Sequence, residues 1–159
     1  MSDARFEDGA ERPLRLMAET AEDLPVLSTL LQDALGQPTE MKWQRTRRRF
    51  AMLLKRFRWE DREAATRRGR KFERVQSMLV IEDVLAVRST GVDAGDPDLI
   101  LSVLSLEFSP GEDWTGSLLF TLSGDGEIAV DVEAINLTLT DVTRPYVAPT
   151  NRAPDHGVD

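Results

Sequence analysis

The chain has no cysteine, a single histidine and no apolar run near the ~20 residues that a membrane-spanning helix requires. Each absence removes a class of chemistry. Without cysteine there is no disulfide framework, no thiolate metal site and no cysteine nucleophile, which fits a reducing compartment. The histidine, His156, sits in a proline-rich tail, so histidine catalysis is excluded in practice. The serine and cysteine triads then cannot be assembled in their standard forms, and zinc loses its best ligands. No cofactor is implied. The first residues, MSDARFEDGAERP, are polar and acidic, unlike a signal or transit peptide. A cytoplasmic protein with no membrane contact is the expectation.

What is present is charge, unevenly spread. The 159 residues fit one domain, with an overall charge of -8. Yet 14 of the 20 lysines and arginines fall between Lys42 and Arg74, against four acids. Within that span, Met41 to Trp59 (MKWQRTRRRFAMLLKRFRW) is both the most basic and the most aromatic part of the chain. It also holds a run of core quality, Phe50 to Leu54. Alternation makes Arg49 to Trp59 a strand with Phe50, Met52, Leu54, Arg56 and Arg58 on one face. Its apolar first half belongs in the centre of a sheet, and Arg56 and Arg58 are expected to point to solvent.

Around this segment, residues 1–13 read as a disordered tail and Leu14 to Ala18 as a short strand. Leu24, Leu27, Leu30, Leu31, Ala34 and Leu35 draw one stripe at helical spacing. The helix should start near Asp23, which leaves Pro25 in the free first turn, and stop at Gly36. Met41 to Arg45 alternates as a strand ahead of a turn at Thr46-Arg47-Arg48. Glu60 to Lys71, charged and without large apolar residues apart from its flanks, reads as an exposed loop. Five strand signals follow. Val75 to Ile81 and Val84 to Ser89 flank Glu82-Asp83, as a hairpin or as one bent strand. Leu99 to Phe108 ends at Ser109-Pro-Gly111. Ser117 to Leu122 and Glu127 to Leu139 enclose Ser123-Gly-Asp-Gly126, the strongest hairpin signal. The apolar parity slips between Val132 and Ile135, which predicts a bend near Ala134. From Thr143 the prolines suggest a disordered tail. The fold class is α+β: one main N-terminal helix packed on a curved, mostly antiparallel sheet or partial barrel of about seven strands, spanning 14–142.

Four sets of residues bear on function. Asp131 and Glu133 share a strand face and would serve as acid and base or hold a hard cation, although alternation alone puts polar residues there. Gly124-Asp-Gly126 lacks the helix and lysine of a phosphate loop and the acid spacing of a calcium loop, so it is a turn. Asn136-Leu-Thr138 matches a glycosylation sequon that is idle without secretion. The fourth set has more content. Arg45, Arg47, Arg48 and Arg49 cluster at a turn, and Arg67, Arg68, Arg70 and Lys71 in the loop. With Arg56 and Arg58 they make a candidate binding surface for an acidic protein or for phosphates. Trp43, Phe57 and Trp59 would stack on bases if they were exposed, and belong to the core if they are not.

The runs RRRFAMLLKRFRWED, VLAVRSTGVD, LSVLSLEFSPGED and GDGEIAVDVEAI resemble a group of short, uncharacterised alphaproteobacterial proteins known only as a domain of unknown function. The resemblance covers roughly Leu14 to Val142. It implies a bacterial, cytoplasmic single domain with no assigned activity, and it carries no site residue with it. The leading expectation is a non-enzymatic module that binds another protein through its basic, aromatic strand edge. Nucleic-acid or phosphate-ligand binding through clusters 45–49 and 67–71 is the alternative, and a small carboxylate enzyme or metal binder comes after it. An edge strand such as Met41 to Arg45 or Leu14 to Ala18 would also allow a homodimer.

Overall fold

The computed structural model describes residues 13–61, 66–67 and 73–147. Of the expected tails at 1–13 and 143–159, residues 1–12 and 148–159 lie outside the described residues, as does most of the 60–71 loop.

Ten strands form one open sheet, and every pairing in it is antiparallel. In chain order they are β1 (Arg15–Ala18), β2 (Leu35–Gln44), β3 (Arg49–Phe57), β4 (Glu73–Ile81), β5 (Val84–Thr90), β6 (Leu101–Pro110), β7 (Gly116–Leu122), β8 (Glu127–Val132), β9 (Leu137–Asp141) and β10 (Tyr146–Val147). The spatial order is β1-β9-β4-β3-β2-β6-β7-β8-β5, with β10 added beside β4. The mostly antiparallel sheet with a short helix is as expected. The count of ten exceeds seven because two long apolar runs each bend into two strands, and because short edge pieces pair as well.

The bend near Ala134 is as expected, and of the two readings of Glu82-Asp83 the bent strand is the one observed. Glu82-Asp83 joins β4 to β5 as one bent strand, with Asp83 in the left-handed region at φ 57°. Residues 133–136 join β8 to β9 where the apolar parity slips. The two corners face each other: the Glu82 amide donates to the Asn136 carbonyl and the Glu133 amide to the Asp83 carbonyl, both at 2.9 Å. A parity change lets each strand keep its apolar residues inward on both sides of the corner.

The helix α1 spans Leu24–Leu31 and buries Leu24, Leu27 and Leu31. A single 3-10 turn, Ala21–Asp23, leads into it. The Asp23 carboxylate accepts from the Glu19 and Thr20 amides and the Thr20 hydroxyl, and the two amides hold its carboxyl below the usual range. Pro25 sits in the first turn, where its missing N–H is harmless. α1 lies chiefly on β6, and the Leu106 amide donates to the Ser28 hydroxyl at 3.0 Å.

The helix stops five residues before the expected Gly36. Tertiary pairing overrides the stripe: the Asp33 amide donates to the Val103 carbonyl at 2.8 Å, and Val103 donates back to Ala34 at 2.9 Å. Gly36 is inside β2, where a Cβ would come 2.8 Å from Leu54. It is a close-approach glycine, not a helix stop. The ordered chain also continues past Val142. The Val142 amide donates to the Gln76 carbonyl at 2.8 Å, and Tyr146 and Val147 pair with Arg74 and Glu73.

One apolar cluster fills the interior, joining α1 to β3, β4 and β9 on one side and to β6, β7 and β8 on the other. Phe50, Met52 and Leu54 of β3 belong to it, as the alternation predicts.

Candidate functional site: a cationic turn beside an open strand edge

The basic segment divides into three environments. The first corrects the sequence reading. Arg56 is fully buried and Arg58 is 5% exposed, so neither points to solvent. Arg56 follows Leu54 on the interior face of β3, where the apolar core gives way to a buried ion network. Its guanidinium donates to Asp141 at 3.0 Å and to Glu60 at 2.8 and 2.9 Å, and its Nε donates to the Ser77 hydroxyl at 3.0 Å. Ser77 donates in turn to Asp141 at 2.7 Å, and the Leu14 amide donates to the same carboxylate at 2.9 Å. Burial alone would lower the Arg56 pKa, but the two carboxylates outweigh it and raise it. Arg58 pairs with Glu73 across the start of β4. Alternation cannot separate a solvent-facing arginine from one that is buried and fully paired, and Asp141 lies 85 residues away in the chain.

The aromatic residues are equally occupied. The Trp59 indole donates to the Gln32 carbonyl at 2.9 Å, and its ring centroid is 4.6 Å from that of Phe57. Trp43 is half-buried against the main core. They do not form a stacking platform.

The second environment is the turn Arg45–Arg47, with Arg48 in the left-handed region at φ 54°. Here the cluster splits. Arg48 pairs with Glu133 and Arg49 with Glu82, so the corner of the sheet neutralises both. The Arg48 carbonyl also accepts from the Val84 amide at 2.9 Å, which fixes the turn to that corner. Arg45 and Arg47 are exposed and have no ion pair among the described residues. They line a shallow depression with Lys42, Trp43 and Gln44.

Among the described residues, the edge next to this turn is open. β2 pairs with β6 only through Leu35 and Gly36, then bulges at residues 37–40 and continues with Met41 to Gln44 paired to β3 alone. In an antiparallel strand every second residue directs its N–H and C=O away from its partner. Half of the backbone groups of Met41 to Gln44 therefore face outward, beside exposed Lys42 and the two unpaired arginines.

The third environment is the loop after β3. It leaves β3 at Phe57 and enters β4 at Glu73, the end of that strand pair opposite the Arg45–Arg47 turn. Its roots lie about 26 Å from the turn along β3. Arg67 is exposed; Arg68, Arg70 and Lys71 lie outside the described residues.

The carboxylates do not converge either. Asp131 stands opposite Ser117, accepts from its hydroxyl at 2.6 Å and from Arg88 at 2.7 Å, and is held below its usual range chiefly by Arg88. Glu133 lies past the end of β8, on Arg48. Each carboxylate answers a different cation, and no group of acids or histidine among the described residues could hold a metal ion. No helix of the described residues is long and apolar enough to cross a membrane.

One exposed residue escaped the sequence reading. Trp114 is 87% exposed, on the β6–β7 hairpin. The signal was a large aromatic alone in a polar turn, Pro110-Gly-Glu-Asp-Trp-Thr-Gly116, where no core can reach it.

Comparison with curated proteins and with solved structures found no match. A family model does match, over residues 14–156, and by that match the chain belongs to the family described as "Protein of unknown function (DUF2948)".

Proposed function

We propose that the domain is a non-enzymatic protein-binding module that takes an extended, acidic segment of another protein onto the Met41–Gln44 edge. The observation that carries this reading is the coincidence of an unpaired strand edge with two unpaired arginines. An added strand would satisfy the outward N–H and C=O groups, the mode known as β-augmentation. Arg45, Arg47 and Lys42 would select carboxylates on that strand. The same charges oppose a homodimer through this edge, because a two-fold axis would set Lys42, Arg45 and Arg47 against their own copies.

Nucleic-acid binding has weaker support. Arg48 and Arg49 are neutralised within the chain, Trp43 and Trp59 beside them are occupied, and the overall charge of -8 repels a long polyanion at long range. Asp131 and Glu133, engaged separately, support no acid–base reading. A bacterial cytoplasm is the setting this proposal takes, in keeping with a cysteine-free chain.

The test is titration of the full chain with a short capped peptide alternating valine and glutamate. Binding should weaken with salt, and the Arg45→Glu/Arg47→Glu variant should lose about tenfold or more, since two charge-assisted hydrogen bonds contribute together at least 1.4 kcal/mol. Equal affinity for a valine–lysine peptide, or for the variant, would overturn the proposal. So would tighter binding of a single-stranded oligonucleotide at low salt.

A further inference from the structure

A second surface, on the far side of the charge distribution, has the opposite preference. The β6–β7 hairpin closes through a tight set of local bonds. The Gly111 amide donates to the Thr115 carbonyl at 2.9 Å, and the Thr115 amide and hydroxyl donate to the Glu112 carbonyl at 3.0 and 2.6 Å. Asp113 takes the left-handed conformation at φ 55° that its short polar side chain tolerates. The turn is thus ordered without help from its tryptophan, and Trp114 is held out with 87% of its surface exposed.

Beside that ring lies a cavity of about 480 Å³. Its walls are apolar: Trp114, Phe108, Pro110 and Ile135. Its charged lining residues are both acidic, Glu19 and Asp113. Phe108 can form a wall because position 116 is glycine; a Cβ there would collide with the Phe108 ring and come 2.7 Å from the Ser109 carbonyl. An apolar hollow beside a presented tryptophan, ringed by carboxylates, suits a cation carried on an apolar stem.

We infer that the Trp114 hairpin is a docking site for a basic, partly apolar segment of a partner protein, which lays a lysine or arginine side chain over Trp114 and its flanking apolar residues into the cavity. The charge balance supports a cationic occupant: outside Lys42 to Arg74 the chain holds 24 of its 28 acids and six of its 20 bases, a field that steers cations inward. The exposure of Trp114 supports a segment over a free amine. A small ligand in the cavity would cover one side of the ring, whereas a chain lying across the turn covers both, which is how interface tryptophans come to dominate binding. This site is independent of the Met41–Gln44 edge and of the opposite sign.

The probe is a short capped peptide alternating leucine and lysine, added to the ¹⁵N-labelled full chain. The Trp114 indole N–H resonance is assigned by its loss in Trp114→Phe. It should shift saturably with the basic peptide, less so as salt rises, and not with a leucine–glutamate peptide. Trp114→Ala should weaken binding about tenfold or more while leaving Tm unchanged, because the ring buries little. Glu19→Gln/Asp113→Asn should weaken it too, with asparagine keeping the left-handed turn. Arg45→Glu/Arg47→Glu should leave it intact, which separates this site from the first. No saturable shift, or an equal shift with the acidic peptide, overturns the inference. A shift on concentrating the protein alone would make the occupant a second copy. Equal affinity for N-acetyl-lysine methylamide would make it a small amine; either result overturns the inference as stated.

Discussion

Arg56→Ala is expected to lower the stability of the domain by about 3–5 kcal/mol, the usual effect of removing one member of a buried ion pair. For a chain of this length that is a fall in Tm of about 6–20 °C. The reason lies in what remains. Asp141 is 5% exposed and keeps only the Ser77 hydroxyl and the Leu14 amide, too few donors for a desolvated carboxylate. The Asp141→Ala partner variant should also be severe, and the double variant should lose less than the sum of the two, because each single change strands the other charge. Chemical denaturation of the three variants measures this coupling. A loss below about 1 kcal/mol in Arg56→Ala would class the pair with exposed salt bridges and contradict the burial.

The same network sets a pH dependence. Burial alone would raise the Glu60 carboxyl, but the hydrogen bonds and charge of Arg56 outweigh it and hold it below its usual range. A depressed carboxylate contributes stability that is present above its unfolded value of about 4.3 and lost as pH falls through the folded one. The Arg56 shift is upward, so its contribution is fully present at and below neutral pH and is lost only in strong alkali. Stability should therefore hold through neutral pH and decline below about pH 4.3, with a shallower acid limb in Arg56→Ala.

Phe120→Ala is expected to have an effect of similar size, about 3–5 kcal/mol, through a cavity rather than a charge. Phe120 is fully buried at the middle of β7, between Leu106 of β6 and Ile128 of β8. Its cluster also includes Phe50, Met52 and Leu54 of β3 and Leu79 of β4, on the other side of the two corners. One shared core implies one cooperative unit. Denaturation should stay a single transition at a lower midpoint, and the slowest-exchanging amides of β3 and β4 should lose as much protection as those of β7. Two transitions, or unchanged protection in β3 and β4, would mean that the two halves of the sheet fold separately.

Much of this architecture could be read from the chain, because parity and turn chemistry are local. The slip between Val132 and Ile135 marked a corner, Ser123-Gly-Asp-Gly126 formed the β7–β8 turn with Gly124 and Asp125 both at positive φ, and Phe50 to Leu54 entered the core. What could not be read depends on distant residues. The stripe through Ala34 and Leu35 continues the helical spacing, yet β6 claims those positions. Arg56 and Arg58 alternate as a solvent face would, yet Asp141, Glu60 and Glu73 meet them inside. The cationic site shrank for the same reason: Glu82 and Glu133, at two corners of the sheet, neutralise Arg49 and Arg48 and leave Arg45 and Arg47. Trp114 escaped the sequence reading, because the exposure of an aromatic in a turn depends on the local bonds that hold the turn away from the core.

The central claim is that Met41 to Gln44 is an open edge that accepts a strand. Hydrogen exchange resolved by residue tests it most directly, on the full chain with and without the valine–glutamate peptide. The account predicts new protection at alternate amides between Met41 and Gln44, the ones turned away from β3, with none gained at the outer edges of β1 and β5. Bound peptide that protects either of those edges, or that leaves Met41 to Gln44 exchanging as before, would contradict it.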